Sequence, residues 1–164
     1  MVKKFKMEDC KPVLTSMVTG CKLSIDDSSK DVDQRLYISM IGSILYVTAS
    51  QPDVKKLVGQ VARFQEATKE SHTIVAKIIL RYLKGTKEYG LWYPKGNNRI
   101  IQAFTDADLV GSVDDRKSTS GTAFYLGGCL MSWLSKKKTS ISLSTVEAEY
   151  IAAAACCTQF LWMK

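Results

Sequence analysis

Histidine is nearly missing: His72 is the only one in 164 residues, so a zinc site built from several histidines is excluded. The five cysteines, Cys10, Cys21, Cys129, Cys156 and Cys157, fall in neither a CxxC nor any other metal-ligand spacing. Their odd number and the adjacent pair argue against a secreted disulfide framework and for a reducing compartment, so the expected location is intracellular, cytoplasmic or nuclear. No apolar run is long enough to span a bilayer, and the opening residues MVKKFKMEDC lack the apolar centre of a signal peptide, so no membrane partner is expected. What the chain does have is an ordinary globular apolar content of 46% and a formal charge of +7. That excess is either a solubilising surface or a preference for an anionic partner, of which nucleic acid is the commonest.

The stretch FTDADLVG, residues 104 to 111, stands out. It reads as the end of a short apolar strand, Ile100 to Thr105, that delivers Asp106, with Asp108 two residues on. Such acids are either ordinary turn residues or a rigidly held pair of oxygen donors for a hard cation. A second acidic stretch, STVEAEYIAAA, begins at Ser144. Ser144 and Glu147 have capping-box spacing, which gives both a structural role, with the Glu147 carboxylate reaching back to the Ser144 amide. Glu149 has no such role. It lies one turn into a helix rich in alanine, and an alanine face lets a helix lie close to a sheet. Glu149 is then either a solvent-facing acid favoured by the helix dipole or is brought near Asp106, where Mg²⁺ would keep both carboxylates ionised.

Residues 1 to 33 show little periodicity. Pro12, Gly20 and the polar run at residues 26 to 30 mark a linker or arm, ordered only by packing on the helices after it. Residues 34 to 86 read as three helices. Tyr37, Met40, Ile41, Ile44 and Leu45 share the inner face of the first, capped by Asp33. Ser50 caps the second, with Pro52 in its first turn, Asp53 at the capping-box position and Val54, Leu57, Val58 and Val61 inward. The third starts at Ser71, turns Ile74, Val75, Ile78, Ile79, Tyr82 and Leu83 inward and ends at Gly85. Lys77, Arg81 and Lys84 share one face of it, either solvated or able to track a phosphate backbone. His72 is expected on the surface or in a cap.

From Tyr89 the period becomes that of strands. Tyr89 to Tyr93 is an aromatic strand stopped by Pro94 and a turn through Asn97 and Asn98. The strand reaching Asp106 comes next, then the bend at residues 114 to 117 and a strand from Ser118 to Leu126. Gly127-Gly128 is a hairpin turn, and Cys129 to Ser135 returns. Lys136, Lys137 and Lys138 either protect the strand edge or contact phosphate.

YISMIGSILYVTASQPDV from Tyr37, RYLKGT from Arg81, FTDADLVGSVDDRKSTSG from Phe104, SWLSKK from Ser132 and LSTVEAEYIAAA from Leu143 occur in this order. Together they resemble the C-terminal part of a plant copia-type LTR-retrotransposon Pol polyprotein. The resemblance implies an α+β chain: an arm at 1–33, a three-helix, thumb-like end of a reverse transcriptase at 34–86, and at 88–164 the first half of a ribonuclease H-like domain. That half would be an incomplete antiparallel sheet with one C-terminal helix. It also implies that Asp106 and Glu149 are catalytic, metal-binding acids of a two-Mg²⁺ phosphodiester hydrolysis of the RNA strand of an RNA–DNA hybrid. Two further family aspartates, on a fourth strand and a late helix, have no counterpart here, nor does the polymerase's palm. The expectation is an inactive fragment, or a non-catalytic nucleic-acid-binding or assembly module. Its strand at residues 100 to 105 would lack its usual neighbour, leaving an edge open to self-association. Leu109-Val110-Gly111 stands where the family has Trp-Ala-Gly, and Ile38 and Gln51 stand where it commonly has arginine.

Overall fold

The computed structural model describes residues 1–17, 23–96 and 100–164. Gly20, Cys21, Asn97 and Asn98 fall outside them. The chain divides into two compact units, Met1–Gly90 and Leu91–Lys164.

The first unit is built on helices α1 (Gln34–Val47), α2 (Lys55–Val61) and α3 (Glu70–Gly85). Asp33 caps α1 as its sequence suggests, its Oδ1 accepting from the amides of Arg35 and Leu36 at 2.9 and 3.3 Å. Tyr37, Met40, Ile41 and Ile44 pack against Val54, Leu57, Val58 and Val61 and against Val75, Ala76, Ile79 and Leu80. The Tyr37 hydroxyl, fully enclosed, donates to the Val61 carbonyl at 2.7 Å. Leu45 and Ile74, expected inside, are exposed: each lies one helical step beyond the buried stripe of its helix. Ser50 does not cap the second helix. A 3₁₀ turn, Pro52–Val54, precedes α2, the Ser50 hydroxyl donates back to the Val47 carbonyl, and Asp53 accepts from the Tyr82 hydroxyl instead.

The described residues of the arm at 1–33 are held against both ends of α3. Near the start of α3 the Glu70 amide donates to the Lys30 carbonyl at 2.9 Å, and Lys69 pairs with Asp31 at 2.8 Å. Near its end, Arg81 and Lys84 hold carbonyls of residues 8 to 11. Met7 joins the core. The helix begins one residue before Ser71, and His72 is buried rather than on the surface. It stacks on Phe64 with centroids 4.0 Å apart. Its Nδ1 accepts from the Lys69 amide at 3.1 Å, and its Nε2 lies 3.0 Å from the Ser24 carbonyl. A neutral ring protonated on Nε2 satisfies both contacts. His72 thereby takes the place of the capping-box glutamate at the third position of α3.

The second unit is a three-stranded antiparallel sheet in the order β1 (Ile101–Asp108), β2 (Thr119–Leu126), β3 (Cys129–Lys137), with α4 (Thr145–Met163) after it. This is the expected α+β arrangement. Gly127 and Gly128 close the β2–β3 hairpin with φ of 58° and 84°, the left-handed geometry that glycine takes without strain. Residues 89 to 93 form no strand. Alternation and aromatic content suggest one, but a strand exists only by pairing. This segment instead attaches through a side chain, the Tyr93 hydroxyl donating to the Leu130 carbonyl at 2.6 Å.

Candidate metal centre and nucleic-acid interface

Small side chains bring α4 onto the sheet. Ala148, Ala152 and Cys156, at helical spacing, are buried against it, and Phe124 from β2 is buried on the covered side. Exposure alternates along β1: Ile101, Ala103, Thr105 and Ala107 are partly covered, whereas Gln102, Phe104 and Asp106 are exposed. Asp106 therefore stands on the uncovered side of the strand, across from Gly121 of β2.

Glu149 is delivered to the same strand by the first turns of α4. Its Oε1 accepts from the Ala107 amide at 3.2 Å, on the residue immediately after Asp106. An amide so engaged points away from β2. By the alternation of an antiparallel ladder, the backbone groups of Ala103 and Thr105 face the same free edge. Between that edge and α4 lies a groove of about 300 Å³ lined by Ile101, Ala103, Thr105, Ala153, Cys156, Cys157 and Phe160.

The start of α4 is capped from two directions. The Ser144 hydroxyl accepts from the Glu147 amide at 3.1 Å. The Glu147 carboxylate accepts from Leu143 at 2.7 Å, one residue earlier than the Ser144 amide that a standard capping box would use. Asp108 folds over the backbone beyond it, so that a side chain on Gly111 would meet its Oδ2 at 3.1 Å. Asp115 serves the bend: it pairs with Lys137 at 2.7 Å and with Lys117 at 3.8 Å. Partial burial pushes its carboxyl up, but bonds from Lys137, Ser112 and the Lys117 amide outweigh this and hold it at about 2. Lys137 thus has a structural partner.

As a seat for Mg²⁺ the arrangement is partial. Among the described residues no three His, Cys, Asp or Glu side chains are grouped to hold a metal. Asp106 and Glu149 are hard oxygen donors attached at neighbouring points of one strand. Their chemistry fits Mg²⁺, which takes oxygen ligands and would keep waters beside two acids, but Asp106 stands on the uncovered side of β1 while Glu149 reaches the strand's edge from α4.

The basic face of α3 is divided. Lys77 is exposed. Arg81 Nε donates to the Lys11 carbonyl at 2.7 Å, and Lys84 Nζ donates to the carbonyls of Glu8 and Cys10, the latter at 2.8 Å. Spacing alone shows the shared face of these three cations. The arm carbonyls that occupy two of them have no sequence signature, since any residue supplies a carbonyl.

No family model matches the chain, and no solved structure matches it. Curated proteins do. The chain is 37% identical over its whole length to the retrovirus-related Pol polyprotein from transposon TNT 1-94 of Nicotiana tabacum, covering 13% of that protein. It is 36% identical over 99% of its length to that from transposon RE1 of Arabidopsis thaliana, covering 11%. The chain thus spans about an eighth of these relatives. Another similar protein, the secreted RxLR effector protein 161 of Plasmopara viticola, is 35% identical over 77% of this chain and 90% of its own length. End-to-end identity at this level, with the quoted motifs in their order, settles the family: the chain belongs to the retrovirus-related Pol polyproteins of plant transposons, of copia type.

Proposed function

We propose that the chain supplies half of a ribonuclease H site and part of the nucleic-acid grip of a retrotransposon reverse transcriptase, acting on RNA–DNA hybrids within the longer protein and inactive alone. The observation that carries this is the attachment of the Glu149 carboxylate to β1 one residue after Asp106. Asp106 and Glu149 are the residues that would hold Mg²⁺. When bound, the ion would activate a water and stabilise the leaving oxygen of the RNA strand. The residues of this chain contribute position: α4 fixes Glu149 against the strand end, and Ser144 and Glu147 fix the start of α4. Lys77, with Arg81 and Lys84 behind it, would contact phosphates without reading sequence. The free edge of β1 at Ala103 and Thr105 stands ready for another strand, from the rest of a longer polypeptide or from a second copy.

A hybrid-cleavage assay with Mg²⁺ tests this. The isolated chain is expected to bind hybrid and leave it intact. Cleavage that disappears in Asp106→Asn and Glu149→Gln would show that two acids suffice and overturn the half-site reading. The second reading is a non-catalytic nucleic-acid-binding or assembly module, which would use the exposed Lys77 and the edge strand β1 without a metal. Binding that is unchanged by Mg²⁺ and by Asp106→Asn would select it.

A further inference from the structure

Helix α4 carries two lengthwise stripes. One, Ala148, Ala152 and Cys156, is spent on the sheet. On the other side Tyr150, Ala154, Cys157 and Leu161 recur at intervals of four, three and four, and all are exposed, Tyr150 by 77% and Leu161 by 71%. From Tyr150 to Met163 the helix contains no charged residue. Single apolar residues on a surface are unremarkable, but a seam at this spacing is the pattern by which helices pack on one another. Thr158 and Gln159 are the polar residues of that stretch, and they lie outside the seam.

The seam is a palindrome of size: large, small, small, large. From this we infer that α4 pairs with α4 of a second copy, antiparallel, about a two-fold axis passing between Ala155 and Cys156. In that register Tyr150 lies opposite Leu161 of the second copy, and Ala154 lies opposite Cys157. The bulky ends fill each other's flanks. The small centre lets the helix axes approach to roughly 8 Å. A symmetric interface must be complementary to itself, and a size palindrome satisfies that condition where an arbitrary apolar stripe does not. Charge does not oppose the pairing, because Glu149 lies outside the seam, opposite Trp162. A 19-residue helix is about 28 Å long, which puts the contact at the small end of specific interfaces. The dimer is therefore weak and concentration-dependent. Of the four seam residues only Cys157 also lines the groove beside β1, so the backbone edge of that strand stays free.

Sedimentation equilibrium of the full chain under reducing conditions, from micromolar to near-millimolar concentration, tests the inference. A monomer–dimer equilibrium is expected, with Leu161→Glu and Tyr150→Glu each raising the dissociation constant about tenfold or more and Leu161→Met leaving it nearly unchanged. Ala154→Cys provides an independent readout that does not depend on those variants folding. On oxidation it should form a disulfide-linked dimer whose bond maps by mass spectrometry to Cys157 of the other copy. A monomer at every concentration, a dimer indifferent to both glutamates, or a cross-link that maps elsewhere would overturn the pairing.

Discussion

The carboxylate of Glu149 accepts a hydrogen bond from the amide of Ala107 at 3.2 Å, so a residue of α4 occupies one position on the open edge of β1. The acid does there what a carbonyl of a neighbouring strand would do, and it marks where such a strand would stop. Glu149→Ala returns that amide to water and is expected to cost about 1 kcal/mol of stability in chemical denaturation. Glu149→Gln keeps an acceptor and should cost less. Mg²⁺ titration followed by amide chemical shifts should perturb residues 106 to 108 first, and Asp106→Asn and Glu149→Gln should each weaken the response. Shifts confined to other acids would remove Asp106 and Glu149 from the metal reading.

The three cations of α3 should separate by readout. Lys77 is exposed, so Lys77→Ala should lower the salt dependence of hybrid binding by roughly one unit of slope with no change in stability. Arg81 and Lys84 also bind arm carbonyls. Arg81→Ala and Lys84→Ala should therefore speed amide exchange and proteolysis across residues 8 to 13, whatever they do to binding. Equal effects of all three on binding, with an undisturbed arm, would contradict that division.

The helical stripes are legible in the sequence because burial on one side of a helix imposes a period. Tyr37, Met40, Ile41 and Ile44, and Val75 and Ile79, fall where that period puts them. The Gly127-Gly128 turn and the Asp33 cap are legible because few residues suit those backbone positions. Residues 89 to 93 mislead because alternation shows that a strand is allowed, while pairing depends on distant residues. His72 misleads for a related reason. A lone histidine on a helix gives no sign of the Phe64 ring and the Ser24 carbonyl that enclose it. At the candidate site, spacing singles out Glu149 by giving Glu147 a capping role. The bond from Ala107 depends on how α4 crosses the sheet, which no local pattern specifies.

His72 is expected to matter for stability rather than for chemistry. His72→Ala removes the stack on Phe64 and leaves the Lys69 amide and the Ser24 carbonyl without their buried partner. A loss of about 3 kcal/mol in urea unfolding is expected, with the second unit unaffected. A loss near zero would mean that water replaces the ring.

Asp115 ties the bend to β3, and its carboxyl is lowered from 3.8 to about 2. A lowered carboxyl contributes stability that is complete above its unfolded value and is lost as pH falls through its folded one. The second unit should therefore weaken between about pH 4 and pH 2, modestly, because the pair is partly solvated. Asp115→Asn should flatten that part of the stability–pH curve. An unchanged curve would show that the ion pair with Lys137 adds nothing in solution.

Val110 lies just past the candidate acids with φ of 53°, and a β-branched side chain in the left-handed region crowds its own backbone. Glycine takes that conformation freely. The usual penalty of a glycine, its extra freedom when unfolded, is smaller than a strain of about 1–2 kcal/mol. Val110→Gly is therefore expected to raise stability by roughly 1 kcal/mol, against the usual direction for a valine-to-glycine change. Calorimetry of the wild type and the variant checks this. A lower Tm would mean that the Val110 side chain, 37% exposed, contributes more through packing than its backbone loses through strain.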